Sequence, residues 1–209
     1  ETDWRLMTIL FASLAATAAL RTRGLRMPAA ERTAVSATAS LPAILPAETF
    51  ATFANPANWP DVLLFCSEAE MVGGDTLRKG AVIKEFAGVR PPLGASLTWE
   101  TTVADPKRGV LELVALEYPG PAEDVELSIA IGSDGGSGSK VTIGASFVPD
   151  GPLGLVIGPA LGIELALSAA LLFPARLKPG GSSLKPVLAW SVLIPAWAAV
   201  SYGFFAAFG

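Results

Sequence analysis

No histidine occurs anywhere in this chain of 209 residues, and there is one cysteine, Cys66. The first absence removes the usual general base, the commonest metal ligand and the commonest axial ligand of a tetrapyrrole. The second excludes an internal disulfide and leaves Cys66 to be read first as a small buried hydrophobe. Charge is scarce as well. Only 16% of residues are charged, 51% are hydrophobic, and the mean hydropathy is +0.50, whereas an ordinary soluble domain carries about 25% charged residues. Such a chain is too apolar to lie wholly in water. Cations are shortest in the middle: from Thr33 to Phe173 there are 16 Asp or Glu against 7 Lys or Arg. Nucleic acid is therefore not an expected partner, because binding it requires cations on the phosphates.

What the chain does hold is three long apolar stretches, and they differ in kind. Trp4 to Leu20 is near the lower limit for crossing a hydrocarbon layer of about 30 Å, with Arg5 placed to snorkel at its end. Leu153 to Phe173 is equally apolar but carries Glu164 near its middle and Gly158-Pro159 in its first half. Val187 to Phe208 has no charge at all and sets Trp190, Tyr202, Phe204, Phe205 and Phe208 towards its ends. Basic residues flank the first stretch (Arg21, Arg23, Arg26, Arg32) and separate the second from the third (Arg176, Lys178, Lys185). Basic flanks favour one side of a membrane. If all three stretches crossed, these flanks would fall on opposite sides; if only the outer two cross, they share one. Burying Glu164 at mid-membrane costs about 2.5–3.5 kcal/mol on insertion scales, which points the same way. The expected order is an anchor over residues 1–20, a basic linker over 21–32, a folded domain over 33–177, a second basic linker over 178–186 and an anchor over 187–209. Residues 21–186 would then lie on the positive, stromal or cytoplasmic, side. The chain starts at Glu1 rather than Met, as it would if a targeting segment had been removed or if the sequence began part-way along; the first stretch then reads as an anchor rather than a signal peptide.

Between the anchors the pattern is mostly strands. VSATASL alternates; VLLFCSEAEMV and GAVIKEFAGV are short β-rich runs; SLTWETTVA and GVLELVALEY flank the turn sequence DPKRG; VELSIAI and KVTIGASFV flank GSDGGSGS. The last glycines lie between strands and lack the Lys of a phosphate loop, so they read as a hairpin connection. Near the start, PAETFATFA favours a helix, which NPANWP must stop, since each Pro removes a donor and restricts its predecessor. The layout is α+β: one curved antiparallel sheet wrapped around a long C-terminal helix, with two flanking transmembrane helices.

These segments resemble the helix-grip superfamily, which includes START lipid-transfer domains, polyketide cyclases and birch-pollen-allergen-like proteins. The resemblance rests on PAETFATFANPANWPDV, LRKGAVIKEF, TTVADPKRGVLEL and DGPLGLVIGPALGIELALSAALLFPARLK, in that order, and covers roughly two thirds of the chain. It implies that NPANWP is the corner between two short helices, with Asn55 and Asn58 at turn or cap positions and Trp59 plugging the end of the sheet. It also implies an interior that holds an apolar ligand. Candidate lining residues are Trp59, Phe65, Trp99, Val114 and Leu116, which are also what a packed core would contain. Alternation puts Leu97, Trp99, Thr101 and Val103 on one face of their strand.

Catalysis is not expected: there is no His, Tyr118 lies at a strand end, and the strand carboxylates have no partner visible in the sequence. The closing helix departs from the amphipathic pattern, because only Glu164 and Ser168 are polar between Leu153 and Phe173. Leu161, Glu164, Leu165 and Ser168 are accordingly candidates for a docking face covered by lipid, by the anchors or by another subunit. The small residues of ASLAATAA and AWAAV permit close helix approach in a bilayer. Two functions from different classes follow. One is a non-enzymatic accessory subunit of a larger membrane complex, in particular a photosynthetic complex of a plastid (thylakoid) membrane. The other is a membrane-tethered binder or carrier of lipid, quinone or pigment. No intrinsic cofactor or metal is expected; a pigment would have to be ligated by water, a backbone carbonyl, Asn or Glu.

Overall fold

Among the described residues, six of the seven strands follow one another as antiparallel hairpins, and the first lies at the far edge of the sheet beside the last. The computed structural model describes residues 31–74, 77–88 and 94–177, all within one unit, Glu31–Lys185. The strands are β1 (Thr33–Leu41), β2 (Cys66–Val72), β3 (Val82–Gly88), β4 (Gly94–Asp105), β5 (Val110–Glu117), β6 (Ala122–Ser133) and β7 (Ser139–Pro149). Their order across the sheet is β1-β7-β6-β5-β4-β3-β2. Register shifts between Cys66 and Glu68, Thr98 and Trp99, Thr101 and Val103, and Glu123 and Glu126 mark the irregularities that bend and twist it. Alternation is clean in β7, where Val141, Ile143, Ala145 and Phe147 point inward opposite Leu127, Ile129 and Ile131 of β6. These residues form the floor of the core.

The connections follow from local chemistry. In DPKRG, Asp105 Oδ1 accepts from the backbone N–H groups of Lys107 (3.0 Å) and Arg108 (3.1 Å). Gly109 then adopts φ +64°, and a side chain there would meet the Ile131 carbonyl oxygen, so glycine is required twice over. The NPANWP corner forms as its residues predict. Helix α1 (Pro46–Phe53) ends, Asn55 Oδ1 accepts from the Ala57 N–H at 3.2 Å, and a single 3-10 turn leads into α2 (Trp59–Val62). Asn58 Nδ2 donates back to the Thr52 carbonyl (3.2 Å), and Trp59, fully buried, donates its indole N–H to the Phe53 carbonyl (2.8 Å).

The closing helix is built in three parts: α3 (Gly151–Leu167), a π-helical turn (Ser168–Leu172) and α4 (Phe173–Leu177). Among the described residues, Ile157–Leu177 is the one helix long and apolar enough to cross a membrane. Here its neighbours are β1 and β7 on one edge of the sheet, and residues 64 and 65, just ahead of β2, on the other. The sheet therefore reaches it from both edges. Phe173 meets Phe53 of α1 edge to face, with centroids 5.1 Å apart at 81°, and Arg176 Nε pairs with Asp61 Oδ2 at 3.0 Å. The two expected anchors and the second basic linker, residues 178–186, lie outside the described residues.

The helix corrects one expectation. Glu164, Leu165 and Ser168 were expected on an outward docking face, but all three are buried, and Leu161 packs against the core. The reason is in the chain they touch. The backbone N–H groups of Leu64 and Phe65 enter the sheet edge without a strand partner of their own; Ser168 Oγ accepts from the first (3.0 Å) and Glu164 Oε1 from the second (3.1 Å). Buried backbone donors must be satisfied, and the two polar residues between Pro159 and Phe173, four apart, are spent on adjacent donors. Its outward side is left to Pro159, Ala166, Ala170 and Leu171, all exposed, with Ile163 and Leu167 half-buried beside them.

Candidate functional site

The inward face of β3 and β4 carries the unusual chemistry. Strand pairing sets Ile83 opposite Trp99 and Glu85 opposite Leu97. All four side chains are buried, Glu85 to 8% exposure. Trp99 Nε1 donates to Glu85 Oε2 at 2.7 Å, a charge-assisted bond short enough to hold both groups in place. A strand carboxylate with a buried partner was not expected from the sequence; alternation along VIKEF leaves each face with one charge, so the pattern alone does not say which charge turns in.

Two further polar groups lie on this face. Tyr118 follows β5 directly and is half-buried against the core. Burial, and after it the negative charges of Glu164 and Glu85, push its phenol above the ordinary value of 10.0, because both desolvation and nearby carboxylates oppose the phenolate. Carboxylates from both the helix and the sheet thus add to the effect of burial on this one phenol. Thr101, two residues beyond Trp99, is fully buried, and its Oγ1 has no hydrogen-bond partner. Sequence alternation had placed Thr101 inward but gave no sign that it would stand alone there. Taken together, an indole-bound carboxylate, a protonated phenol and a free hydroxyl face an otherwise apolar interior.

The sequence-selected lining residues divide. Trp59 and Trp99 point inward and are buried, while Phe65 is half-buried at the sheet edge. Val114 is half-buried, and Leu116, at 53% exposure, lies on the outer surface of the sheet. The inward residues of β5 are instead Leu111 and Leu113. Glu112 is exposed on the same side of the strand as Val114 and Leu116, and its charge was the signal that this set faces out. A separate open recess of ≈ 500 Å³ lies at the β2–β3 connection, lined by Met71, Val72, Arg78, Lys79 and Val82 among others. It contains none of the inward polar groups, and Arg78 and Lys79 are exposed side chains, so the inner face is the better candidate. Among the described residues no three His, Cys, Asp or Glu side chains gather as a metal site.

Solved structures match this arrangement. A major latex-like protein of Panax ginseng aligns with TM-score 0.57 and 11% identity, over 71% of this chain and 99% of its own. A protein of Thermobifida fusca aligns with TM-score 0.57 and 12% identity, over 69% of this chain and 92% of its own. The domain has the helix-grip fold. A norcoclaurine synthase of Thalictrum flavum shares it at TM-score 0.51 and 11% identity, over 70% of this chain and 98% of its own. No protein-family model matches the chain, and no curated protein matches it. At these identities the likeness is one of helix-grip architecture alone.

Proposed function

We propose that the chain is a non-enzymatic accessory subunit of a larger membrane complex, its helix-grip domain held at the membrane by the apolar stretches over residues 1–20 and 187–209. The observation that carries this reading is the inverted closing helix: its polar residues are committed inward, and its outward side is apolar from Pro159 to Leu171. An apolar helix face of this length is ordinarily covered. The buried Trp59 and Trp99 add to it, since both serve as packing plugs held by hydrogen bonds to the protein itself. A complex of a plastid membrane, such as a photosynthetic one, is the form of this reading that the Ala-, Gly- and Pro-rich composition favours.

Gentle detergent extraction followed by native separation tests it. The chain should stay with membranes through a carbonate wash and then migrate within an assembly much larger than itself. Release by salt alone, or migration as a lone chain, would refute the reading.

The inner polar face favours a second reading, a membrane-tethered binder of an apolar molecule with a polar end, such as a lipid, quinone or pigment. The unpartnered Thr101 hydroxyl is its specific support, because a buried hydroxyl left alone loses its hydrogen bonds to water without replacement. Organic extraction of the purified chain, with analysis of what is released, separates the two readings.

A further inference from the structure

Strand pairing brings three connections together at one end of the sheet: residues 73–81 between β2 and β3, the DPKRG turn between β4 and β5, and residues 134–138 between β6 and β7. Neighbouring connections there are two strands, or about 10 Å, apart. Five of the seven Lys and Arg residues between Thr33 and Phe173 lie at this end: Arg78, Lys79, Lys107, Arg108 and, second in β7, Lys140. All five are exposed, and none of them has an ion pair among the described residues. In sequence the same connections hold three acids, Asp75, Asp105 and Asp134; the last two accept backbone N–H groups of their own turns. The opposite end is acidic. Glu117, Glu123, Asp124, Glu126 and Asp150 lie there, Arg32 is already paired with two of them, and the sequence adds Arg90 between β3 and β4. The twelve residues of β6 hold the two ends about 35 Å apart. Two large apolar side chains are exposed at the basic end as well. Val72, last in β2, is 44% exposed and shares the open recess at the β2–β3 connection with Arg78 and Lys79. Leu45, 53% exposed, precedes α1, whose Thr49 hydroxyl bonds that of Ser139 at the start of β7 (2.8 Å).

We infer that this end of the sheet docks on an anionic lipid surface, with its cations against the headgroup phosphates and Leu45 and Val72 in the boundary beneath them. Charge complementarity selects the occupant and the orientation together. An anionic surface attracts the basic end and repels the acidic one, so the domain meets it by one end alone. Each cation close to such a surface raises the affinity about fivefold. Nucleic acid would meet the same cations through its phosphates, but it would leave Leu45 and Val72 in water. The inference goes beyond the reading of a membrane-held subunit: it concerns the surface of the described domain and holds whether or not the apolar stretches at the two ends of the chain cross a bilayer.

The test uses the full chain with vesicles of phosphatidylcholine alone and of phosphatidylcholine mixed with phosphatidylglycerol. A fluorescent label is placed on Ser137→Cys in the β6–β7 connection, with Glu123→Cys at the acidic end as control; both positions are exposed and the native Cys66 is fully buried. In the mixed vesicles the label at 137 should lose fluorescence to a quencher carried on the lipid and resist iodide in the water, and the label at 123 should do the reverse. The difference should vanish in phosphatidylcholine alone and in about 1 M salt, where charges are screened beyond about 3 Å. Arg78→Gln with Lys79→Gln should lower the ratio of docked to free domain about 20-fold, with circular dichroism unchanged because both side chains are exposed. A label at 137 quenched by iodide as strongly as the control would overturn the inference. So would lipid quenching of equal strength in both kinds of vesicle, which would show contact without recognition of charge, or a label shielded from both quenchers, which would mean that protein covers this end. A carbonate wash of parallel samples keeps the two readings apart. Protein that stays with the vesicles while its label at 137 faces water refutes the docking alone, whereas protein that carbonate releases, after showing quenching that depends on phosphatidylglycerol, refutes the membrane anchors and supports the docking.

Discussion

Glu164 Oε1 accepts the backbone N–H of Phe65 at 3.1 Å, a bond across 99 residues of sequence that ties the middle of the closing helix to the edge of the sheet. Replacing Glu164 with Ala leaves that buried donor unsatisfied, at a cost of about 1–3 kcal/mol. Glu164→Gln keeps an acceptor of similar reach and should recover much of the loss. Chemical denaturation of the full chain in detergent, followed by tryptophan fluorescence, distinguishes the pair; equal stability of both variants would mean that the bond contributes nothing.

Trp59 should be the most sensitive single position of the NPANWP corner. It is fully buried and spends its indole N–H on the Phe53 carbonyl, so Trp59→Ala creates a large cavity and should cost about 3–5 kcal/mol. Trp59→Phe keeps most of the volume and loses the hydrogen bond, and a smaller loss is expected. Thermal unfolding monitored by circular dichroism reads both.

Phe53 and Phe173 join the first helix to the last one through an edge-to-face contact. A double-mutant cycle with Phe53→Leu and Phe173→Leu should return a coupling of about 0.5–1.5 kcal/mol. Strictly additive losses would show that the two rings fill space independently.

Tyr118 supplies a test by pH. Its pKa is raised, chiefly by burial and then by Glu164 and Glu85, so the folded protein keeps a proton that the unfolded chain releases near pH 10. The stability from this group is therefore complete below that pH and is lost as the pH climbs through the higher folded value. Ultraviolet titration of the phenolate band should show Tyr118 ionising later than a free tyrosine. Tyr118→Phe should flatten the alkaline fall in stability. An unchanged alkaline profile in that variant would count against the assignment.

Thr101 separates the two functional readings. If its hydroxyl has no ligand to meet, Thr101→Val exchanges a lone buried polar group for a methyl of similar shape and should be neutral or stabilise by about 1 kcal/mol. If the hydroxyl orients a ligand, the same change should lower the amount of apolar compound that copurifies. Denaturation midpoints and extracts of the two proteins, compared side by side, decide between these outcomes.

Much of the architecture was legible in the residues. The succession of strands, the DPKRG turn and the NPANWP corner each rest on local chemistry, which a sequence states most directly, whereas the pairing of β1 with β7 joins segments about a hundred residues apart and was not read from it. The inward face of β4 was legible as far as Thr101, because Leu97, Trp99 and Thr101 alternate with Thr98 and Glu100; Val103, expected on the same face, lies beyond a register shift, and Ala104 packs against the core instead. β5 was misread because VLELVALE is mostly apolar on both faces and carries one Glu on each, so that only the place of Glu112 within the strand, against Glu117 at its end, marked the outside. The helix was misread for a deeper reason. Its polar residues were expected on an outward docking face, whereas their partners are backbone donors about a hundred residues earlier in sequence, and no pattern within the helix records them. The pairing of Glu85 with Trp99 is of the same kind, since it depends on the register between two strands.

The π-helical turn from Ser168 to Leu172 has a consequence for anyone tracing relatives of this chain. Such a turn takes up an additional residue relative to ordinary α-helical winding, and one residue corresponds to a rotation of about 100° around the helix axis. An alignment carried without a gap from Gly151 to Leu177 onto a kinsman lacking the turn would therefore match inward positions to sideways ones beyond Ser168. Phe173 would be set against the wrong partner, and the shared ancestry of the last segment would look weaker than it is.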